Sequence, residues 1–230
     1  MIEISNLSKH FFIGERRIDV LRELSLNIKK DKITVILGRS GCGKTTLLRL
    51  IAGLESVSLG EIKFKEQAKI GFVFQEPRLM PFLNVYENIV FPLKKHEIEA
   101  EKIDSLISMI GLNDFKFAAV SQLSGGMSSR VSLARVLAYE ANLILMDEPF
   151  AALDAFTRAS MQAEILKIQA GKTILFVTHN IDEALFLADE IILLEKGGIK
   201  SNYELSNLAR PRDLLSDELI AIKRKILSEI

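Results

Sequence analysis

Residues 33–46 read ITVILGRSGCGKTT, and this stretch decides the fold of the chain. The run ITVIL at 33–37 has the length and the Ile and Val content of a buried strand. The residues after it match the pattern G-x-x-x-x-G-K-[ST] in full, and the helical pattern TTLLRLIAGL begins at the last residue of the match. A strand, a glycine-rich loop and a helix in this order predict a phosphate-binding loop.

The residue types of this loop indicate how it would bind a nucleoside triphosphate. Glycines let the backbone bend tightly, so that consecutive N–H groups can point at phosphate oxygens. The lysine would reach the β- and γ-phosphates, and the threonine after it would ligate Mg²⁺. The alternative, a glycine turn with a solvated lysine, is disfavoured by the strand and helix on either side. The predicted nucleotide contacts are Gly38, Arg39, Ser40, Gly41, Cys42, Gly43, Lys44, Thr45 and Thr46, with Thr45 also on the metal.

The composition is that of an ordinary globular protein. Of the 230 residues, 48% are hydrophobic and 26% are charged, and 30 basic residues balance 30 acidic ones. A general nucleic-acid binder is usually more basic, so we expect no nucleic-acid partner. The single Cys42 allows no internal disulfide and suits a reducing compartment. No apolar run approaches the roughly 20 residues needed to cross a bilayer, so we expect a soluble, cytoplasmic protein.

Apolar runs alternate with helical patterns along most of the chain. IGFVF (70–74), LILM (143–146), TILFV (173–177) and IILLE (191–195) all resemble strands that are covered on both faces. The N-terminal runs IEISNL and LSLNI alternate apolar and polar residues, which is typical of half-buried strands. We predict an α/β fold: a P-loop NTPase core with a mostly parallel sheet, an N-terminal antiparallel β portion and a helical subdomain inserted at about 76–135. A short tail follows from about residue 200, and all 230 residues form a single domain.

Polar residues follow three of the predicted strands. In LILMDEP the apolar run is followed by Asp147, which we expect in the Mg²⁺ shell, and by Glu148, which is placed to take a proton from the attacking water. The alternative is a strand that merely ends in solvated charge. Gln75 and His179 each follow another apolar run, at the edge where parallel strands deliver residues to a phosphate site. Either residue alone would more often be structural, but their shared placement favours a role in the site.

The order of these motifs resembles the ATP-binding subunits of ABC transporters. GRSGCGKTT, FQEP, LSGGM, LILMDEP, AALD and VTHN follow one another over nearly the whole chain, and LSGGM is similar to the signature of that family. The resemblance implies that the nucleotide is ATP and that Phe11 stacks on adenine, with Phe12 as the runner-up and core packing as the alternative for either. It further implies that Gln75 senses Mg²⁺ and the membrane partner, that Glu148 is the general base and that His179 holds the γ-phosphate.

The same resemblance implies a dimer and membrane partners. In the family, the residues that correspond to Ser124, Gly125 and Gly126 face the ATP of a second copy, so two identical chains pack head to tail around two nucleotides. Asp154, in AALD, would lie at that interface. The partners would be transmembrane permease subunits and, through them, a solute-binding protein. The chain would then lie on the inner face of the cell membrane without crossing it.

Finer features resemble the nitrate, sulfonate and taurine branch of importers. They are PRLMPFLNVYENI (77–89), PFAALDAFTRASMQ (149–162) and the tail ARPRDLL. Leu79, Met80 and Phe82 belong either to the core or to the groove that receives a membrane subunit in the family. Two features depart from the family pattern: Met127 stands where the signature usually has Gln, and GEIKFKEQAKIGF is shorter than usual. An exporter ATPase, or an ABC ATPase that acts on DNA or ribosomes, is the alternative function.

Overall fold

The structure is a computed structural model that describes residues 2–230. The chain forms two compact units: the first comprises the chain up to Ala68 together with Gln169–Ile230, and the second is Lys69–Ile168. In chain order the elements are β1 (Ile2–Ile13), β2 (Arg16–Ile28), β3 (Ile33–Leu37), α1 (Lys44–Ile51), β4 (Leu59–Phe64), β5 (Ile70–Val73), α2 (Val85–Val90), α3 (Ala100–Met109), α4 (Gly125–Ala138), β6 (Leu143–Asp147), α5 (Ala155–Ile168), β7 (Thr173–Thr178), α6 (Ile181–Leu187), β8 (Glu190–Glu195), β9 (Gly198–Glu204) and α7 (Asp217–Glu229).

The first unit begins with an antiparallel sheet of order β2-β1-β4. Ile2 pairs with Ile28 on one side and with Phe64 on the other, and Ile2 and Ile4 are buried. The two predicted N-terminal strands are confirmed, and both are longer than predicted. Strand β4 was not predicted, because nearly all of its residues are exposed and it therefore lacks an apolar alternation.

The second sheet of the first unit contains β7, β3, β8 and β9 in that order. The pairs β7–β3 and β3–β8 are parallel, and β8–β9 is antiparallel. Every residue of β3 and β7 is buried, which explains why their sequences are continuously apolar instead of alternating. Leu37 pairs with Thr178, so the residues after these two strands emerge at one edge of the sheet. The predicted mostly parallel sheet is confirmed.

The second unit joins a parallel strand pair to helices. β5 and β6 pair from Ile70 with Leu143 to Val73 with Met146. Between these strands the named elements are helical: α2, α3, α4 and three short 3₁₀ turns. Helix α3 ends at Met109, and Gly111 follows with a left-handed φ of 65°, which is typical of a glycine that terminates a helix. The last helix of this segment continues to Ala138.

The C-terminal tail contains regular elements that the sequence did not reveal. β9 pairs with β8, and α7 packs against α6 with Leu219 and Ile226 buried. The basic ARPRDLL segment, 209–215, lies between them, and its Arg212 is buried. Burial lowers the pKa of Arg212 to about 10, which still leaves the guanidinium charged at neutral pH. Within residues 2–230, no helix is long and apolar enough to span a bilayer.

Candidate functional site

The phosphate loop in the first unit is shaped by two different constraints on its glycines. Gly43 has φ 107°, and a Cβ there would lie 2.9 Å from the Val20 carbonyl oxygen. Gly38 does not have a positive φ, so its requirement is not the tight bend that the sequence suggested. A Cβ at Gly38 would lie 2.4 Å from the Leu194 carbonyl oxygen, which makes the requirement one of close approach. The neighbouring β8 therefore sets the position of this end of the loop.

Lys44 supplies a buried positive charge inside the loop. Its side chain is only 5% exposed, and Nζ donates to the carbonyl oxygens of Gly38 (2.8 Å) and Arg39 (2.9 Å). Helix α1 begins at this lysine. The unpaired backbone N–H groups of its first turn, which form the positive end of the helix dipole, therefore face the phosphate loop. An ammonium group and a helix N-terminus at one place favour an oxyanion, and the loop therefore fits a phosphate chain.

Cys42 belongs to the structure of this loop more than to its chemistry. The residue is 8% exposed, and its Sγ would lie 2.8 Å from a Cβ at Gly38. Burial raises the pKa of the Cys42 thiol, which keeps it protonated at neutral pH. The neighbouring Arg39 and Ser40 are exposed, and Thr45 and Thr46 are half-buried. The side chains of the loop thus divide between packing and an open face.

His179 lies at the same sheet edge as the start of the phosphate loop. It is exposed and follows Thr178, whose partner across the parallel pair is Leu37. Within the first unit, the fold therefore brings His179 and the phosphate loop together, as their positions after strands predicted. The turn itself is built by hydrogen bonds of Thr178, Asn180 and Glu183.

Phe11 and Phe12 lie on opposite faces of β1, near its hairpin with β2. The Lys9 ammonium lies over the Phe11 ring, 4.6 Å from the centroid, and Phe11 is partly exposed. Phe12 is 65% exposed and packs edge-on against His10, with 5.4 Å between the ring centroids. The core-packing alternative is wrong for Phe12, which is exposed, whereas Phe11 is half-buried. The stacking of Phe11 on adenine stays a prediction.

In the second unit, the proposed metal and proton-transfer residues share one strand edge. Asp147 ends β6 and is 4% exposed, while Gln75 lies two residues after β5 and is exposed. Because Val73 pairs with Met146, both side chains belong to the same end of the strand pair. Glu148 has φ 44°, a left-handed conformation that is uncommon for a residue with a side chain. Six other non-glycine residues of the described chain share a left-handed φ, so the conformation alone does not distinguish Glu148, and its role as the general base stays a prediction.

The signature begins helix α4. Ser124 is the N-cap, and its Oγ accepts a hydrogen bond of 3.2 Å from the Met127 N–H. Met127 Sδ accepts in return from the Ser124 N–H at 3.5 Å. A thioether is a weak acceptor, so Met127 closes less firmly the capping box that a glutamine at this position would complete. Gly125 is exposed at the first turn, where a helix N-terminus offers unpaired N–H groups to an anion.

The AALD motif packs beside the signature. A Cβ at Gly126 would lie 3.2 Å from Leu153 Cδ2, and one at Gly125 would lie 3.8 Å from the Ala152 Cβ. Asp154 accepts hydrogen bonds from the Phe156 and Thr157 N–H groups (3.0 Å each) and so caps the start of α5. The Thr157 hydroxyl donates to the same carboxylate and is the main reason that the pKa of Asp154 is lowered. Asp154 therefore has a structural role within its own chain, whatever it does at an interface.

The segment after Gln75 is organised by two polar residues that sequence analysis missed. Asn88 is fully buried, and its side chain accepts a hydrogen bond from the Met80 N–H (2.8 Å). The side-chain amide donates to the carbonyl oxygens of Met80, Leu83 and Asn84. Arg135 of α4 donates to the carbonyl oxygens of Pro77 and Arg78, at 3.1 Å each. The available sequence signals were an asparagine next to apolar residues in the helical pattern VYENIV and an arginine among the apolar residues of VSLARVLA.

The apolar residues of this segment differ in exposure. Phe82 is 77% exposed, whereas Leu79 and Met80 are half-buried. Core packing is therefore excluded for Phe82. A single exposed apolar side chain is common on protein surfaces, so a role of Phe82 in the groove for a membrane subunit stays a prediction.

Comparison with known proteins identifies the family. The family model described as ABC transporter matches residues 21–151. An uncharacterized ABC transporter ATP-binding protein of Methanocaldococcus jannaschii is 41% identical, with 99% of this chain and 90% of that protein covered. The aliphatic sulfonates import ATP-binding protein of Bacillus cereus is 39% identical, with 99% and 95% covered. The taurine import ATP-binding protein of Roseobacter denitrificans is 41% identical, with 89% and 82% covered.

A solved structure agrees with the sequence relatives. It is a dimeric ATP-binding cassette in a post-hydrolysis state with bound ADP and Pi, and it superposes with a TM-score of 0.83 at 33% identity. The alignment covers 89% of this chain and 99% of that one. The predicted fold class is thereby confirmed. The chain belongs to the ABC transporter family, as an ATP-binding subunit of the ABC ATPase type.

Proposed function

We propose that this ATPase drives the import of a small organic sulfonate through partner membrane subunits. The observation that carries the proposal is that relatives alignable over 99% and 89% of the chain are import proteins for aliphatic sulfonates and for taurine. Both kinds of solute carry a sulfonate group on a short aliphatic body. The ATPase subunit would not itself contact the solute. A solute-binding protein and a permease would select it, and all 230 residues would act as a single ATP-binding domain.

The residues of the chain suggest how each step is performed. The N–H groups of the phosphate loop and Lys44 would bind the phosphates, and His179 would donate a hydrogen bond to the γ-phosphate. Thr45, Gln75 and Asp147 offer a hydroxyl, an amide and a carboxylate oxygen, the ligand types that Mg²⁺ prefers. When bound, Mg²⁺ would neutralise the charge that develops on the β- and γ-phosphate oxygens. Glu148 would accept the proton of the attacking water.

We infer that the second anion site, at the start of α4, serves a second copy of the chain. Ser124, Gly125 and Gly126 present a helix N-terminus on the surface, and a head-to-tail dimer would place it against the γ-phosphate that the other copy holds. Phe82, exposed in the segment after Gln75, would then belong to the surface for the membrane subunits. With such partners the chain would lie on the inner face of the membrane.

The experiment that tests this function isolates the natural complex. A tagged chain is expressed in its own host, extracted in mild detergent, and its partners are identified by mass spectrometry. We expect a permease, and we expect the solute-binding protein of that system to bind ethanesulfonate or taurine more tightly than sulfate. Recovery of ribosomal proteins or DNA, or a permease of the exporter type, would contradict the proposal. The Lys44→Ala variant should recover the same partners but should not support uptake in reconstituted vesicles.

A further inference from the structure

A buried hydrogen-bond network surrounds the backbone of His179. The Thr178 hydroxyl donates to Glu183 Oε2 at 2.6 Å and accepts from the Asn180 N–H at 3.0 Å. One hydroxyl therefore ties together the residues on both sides of His179. Because the hydroxyl oxygen already accepts from the Asn180 N–H, its single proton is directed to the carboxylate. The network thereby fixes the direction in which the chain leaves β7.

The carboxylate in this network is buried at a considerable cost in solvation. Glu183 is 6% exposed and Thr178 is 2% exposed. A buried carboxylate is destabilising unless it is well hydrogen-bonded, and hydrogen bonds to charged groups are about twice as strong as neutral ones. The bond from Thr178 to Glu183 is thus one that the fold holds firmly. The exposed His179, by contrast, needs a fixed backbone if its ring is to meet a ligand at a defined place.

Helix α6, which carries Glu183, is held at both ends by basic residues of the tail. Arg212 donates to the carbonyl oxygens of Leu185 (2.9 Å) and Ala188 (2.7 Å), which lie at the carboxyl end of the helix. Lys223 of α7 pairs with Asp182 in the first turn, at 2.5 Å. Guanidinium groups satisfy the unpaired carbonyls of a helix C-terminus and complement its dipole. The ARPRDLL segment, which the site itself does not use, thus fixes the helix that fixes Glu183.

We propose that Thr178 and Glu183 are positioning residues for His179, and that Arg212 supports them by anchoring α6. Their effect on hydrolysis would pass through His179 and not through a contact with ATP. The effect on hydrolysis rests on the γ-phosphate role of His179 in the proposed function, whereas the orientation of His179 does not. Loss of the Thr178 hydroxyl should free the turn, so that the ring of His179 samples several orientations. Substrate binding, which depends mainly on the phosphate loop, should change little.

The first test observes His179 directly, without an activity assay. The chain has three histidines, so the ring ¹H–¹⁵N correlations of His179 can be assigned, with His10 and His96 as internal references. In Thr178→Val we expect the His179 correlations to shift or broaden while those of His10 and His96 stay in place. Thr178→Ser keeps the hydroxyl and should restore the wild-type correlations. Unchanged His179 correlations in Thr178→Val would overturn the proposal.

The second test measures hydrolysis against a matched control on the same strand. Thr173 begins β7, is buried like Thr178, and its hydroxyl accepts a 3.0 Å hydrogen bond from the Asp31 N–H. We expect Thr178→Val to lower kcat about tenfold to a hundredfold with KM within about twofold, and Thr173→Val to leave both near the wild type. An equal loss of kcat in both variants would mean a general effect on the strand and would overturn the proposal.

Two further variants guard against failure to fold and against failure of the proposed function. If Thr178→Val does not fold, Glu183→Gln can replace it. This variant preserves the side-chain volume and the acceptor oxygen but removes the charge, so we expect a smaller shift of the His179 correlations in the same direction. In that case, unchanged His179 correlations in Glu183→Gln would contradict the proposal. If His179→Ala hydrolyses ATP as fast as the wild type, the γ-phosphate role of His179 is wrong, whereas the correlations still decide whether Thr178 orients it.

Discussion

The two glycine-rich helix starts of this chain look alike in sequence but differ in how the chain constrains them. In the phosphate loop, added side chains at Gly38 and Gly43 would collide with backbone atoms of the same unit, and Gly43 has φ 107°. In the signature, Gly125 and Gly126 have neither a positive φ nor a backbone atom of the described chain within 3.4 Å of a Cβ. The first pair of glycines is required by the fold around it, and the second pair is not.

This difference indicates where the reason for each pair lies. Glycine is unfavourable in a helix by about 1 kcal/mol relative to alanine, so two glycines in the first turn of α4 weaken that helix. The contacts of the described residues do not require glycine at Gly125, because an added Cβ would meet only the Ala152 Cβ, at 3.8 Å. A ligand that must approach the backbone closely would explain the glycines, and the proposed dimer supplies one in the γ-phosphate of the second copy. Substitutions at the two helix starts should therefore differ in their effects on stability and on ATP hydrolysis.

Lys44→Ala should remove the function of the first helix start entirely. The ammonium group that lies inside the loop is lost, and with it the charge aimed at the phosphates, so we expect ATP hydrolysis to fall about a hundredfold or more. The fold should survive, as judged by circular dichroism. Lys63→Ala is the control, because Lys63 is an exposed lysine of the same unit whose partner is Glu61. Hydrolysis at the wild-type rate in Lys44→Ala would refute the site.

Glu148→Gln should separate ATP binding from hydrolysis and reveal the second helix start. The variant keeps its shape but cannot accept the proton, so we expect hydrolysis to fall about 10²- to 10⁴-fold with ATP retained. ATP bound between two copies selects the dimer by mass action. On a sizing column the variant should be a monomer without nucleotide and a dimer with ATP.

The matched control for this dimer test lies in the signature. Adding Ser124→Arg to Glu148→Gln should abolish the dimer, because the bulky side chain would cover the exposed start of α4. A Glu148→Gln protein that stays monomeric under saturating ATP, both alone and with its membrane subunits, would contradict the head-to-tail arrangement. A dimer that persists with Ser124→Arg would place the interface elsewhere.

Alanine substitutions should separate the two kinds of glycine by stability. Gly43→Ala forces a side chain into a left-handed conformation and against the Val20 carbonyl, and we expect a loss of about 3 kcal/mol in the free energy of unfolding. Gly125→Ala meets no obstacle and improves helix propensity, so its stability should stay within about 1 kcal/mol of the wild type or rise. Hydrolysis should nevertheless fall in Gly125→Ala. Urea denaturation and an ATPase assay measure the two quantities, and equal destabilisation would remove the contrast.

Sequence patterns predicted those parts of the molecule that burial or local chemistry dictates. β3 and β7 are buried on both faces, so their continuous apolar runs gave their positions to within one residue. β4 and β9 were not predicted because most of their residues are exposed. When neither face of a strand is buried, its sequence has no periodic pattern of apolar residues, even though it pairs with another strand.

The site divides in the same way between local motifs and long-range contacts. The phosphate loop is a local motif whose spacing is fixed by its chemistry, and its residues could be named from the sequence. The close approach of Gly38 to Leu194 and the hydrogen bond from Arg212 to the Leu185 carbonyl oxygen in α6 join residues that are far apart in the chain. Only the folded structure shows such pairs. Arg212 in particular appeared in the sequence only as part of the tail ARPRDLL, with no sign that it would be buried.

The smallest effect is expected at Met127. A substitution there tests how the second helix start is capped, separately from how its backbone binds the γ-phosphate. Met127 Sδ is the acceptor for the Ser124 N–H at 3.5 Å, whereas a glutamine oxygen would make a stronger bond of normal length. Met127→Gln should therefore raise the free energy of unfolding by up to about 1 kcal/mol. If the γ-phosphate is bound by the backbone N–H groups, which need no side chain, hydrolysis should change by less than about tenfold, or roughly 1.4 kcal/mol.

The contrasting variant at the same helix start is Gly126→Asp. A carboxylate there repels the γ-phosphate without replacing a capping group, so hydrolysis should be abolished although the fold remains intact. The two variants together separate a cap that tunes stability from a backbone that binds an anion. A large loss of hydrolysis in Met127→Gln, with normal hydrolysis in Gly126→Asp, would reverse that assignment and would place the function of the signature in its side chains. Thermal unfolding and ATP turnover, measured on both variants with their membrane subunits, decide between the two.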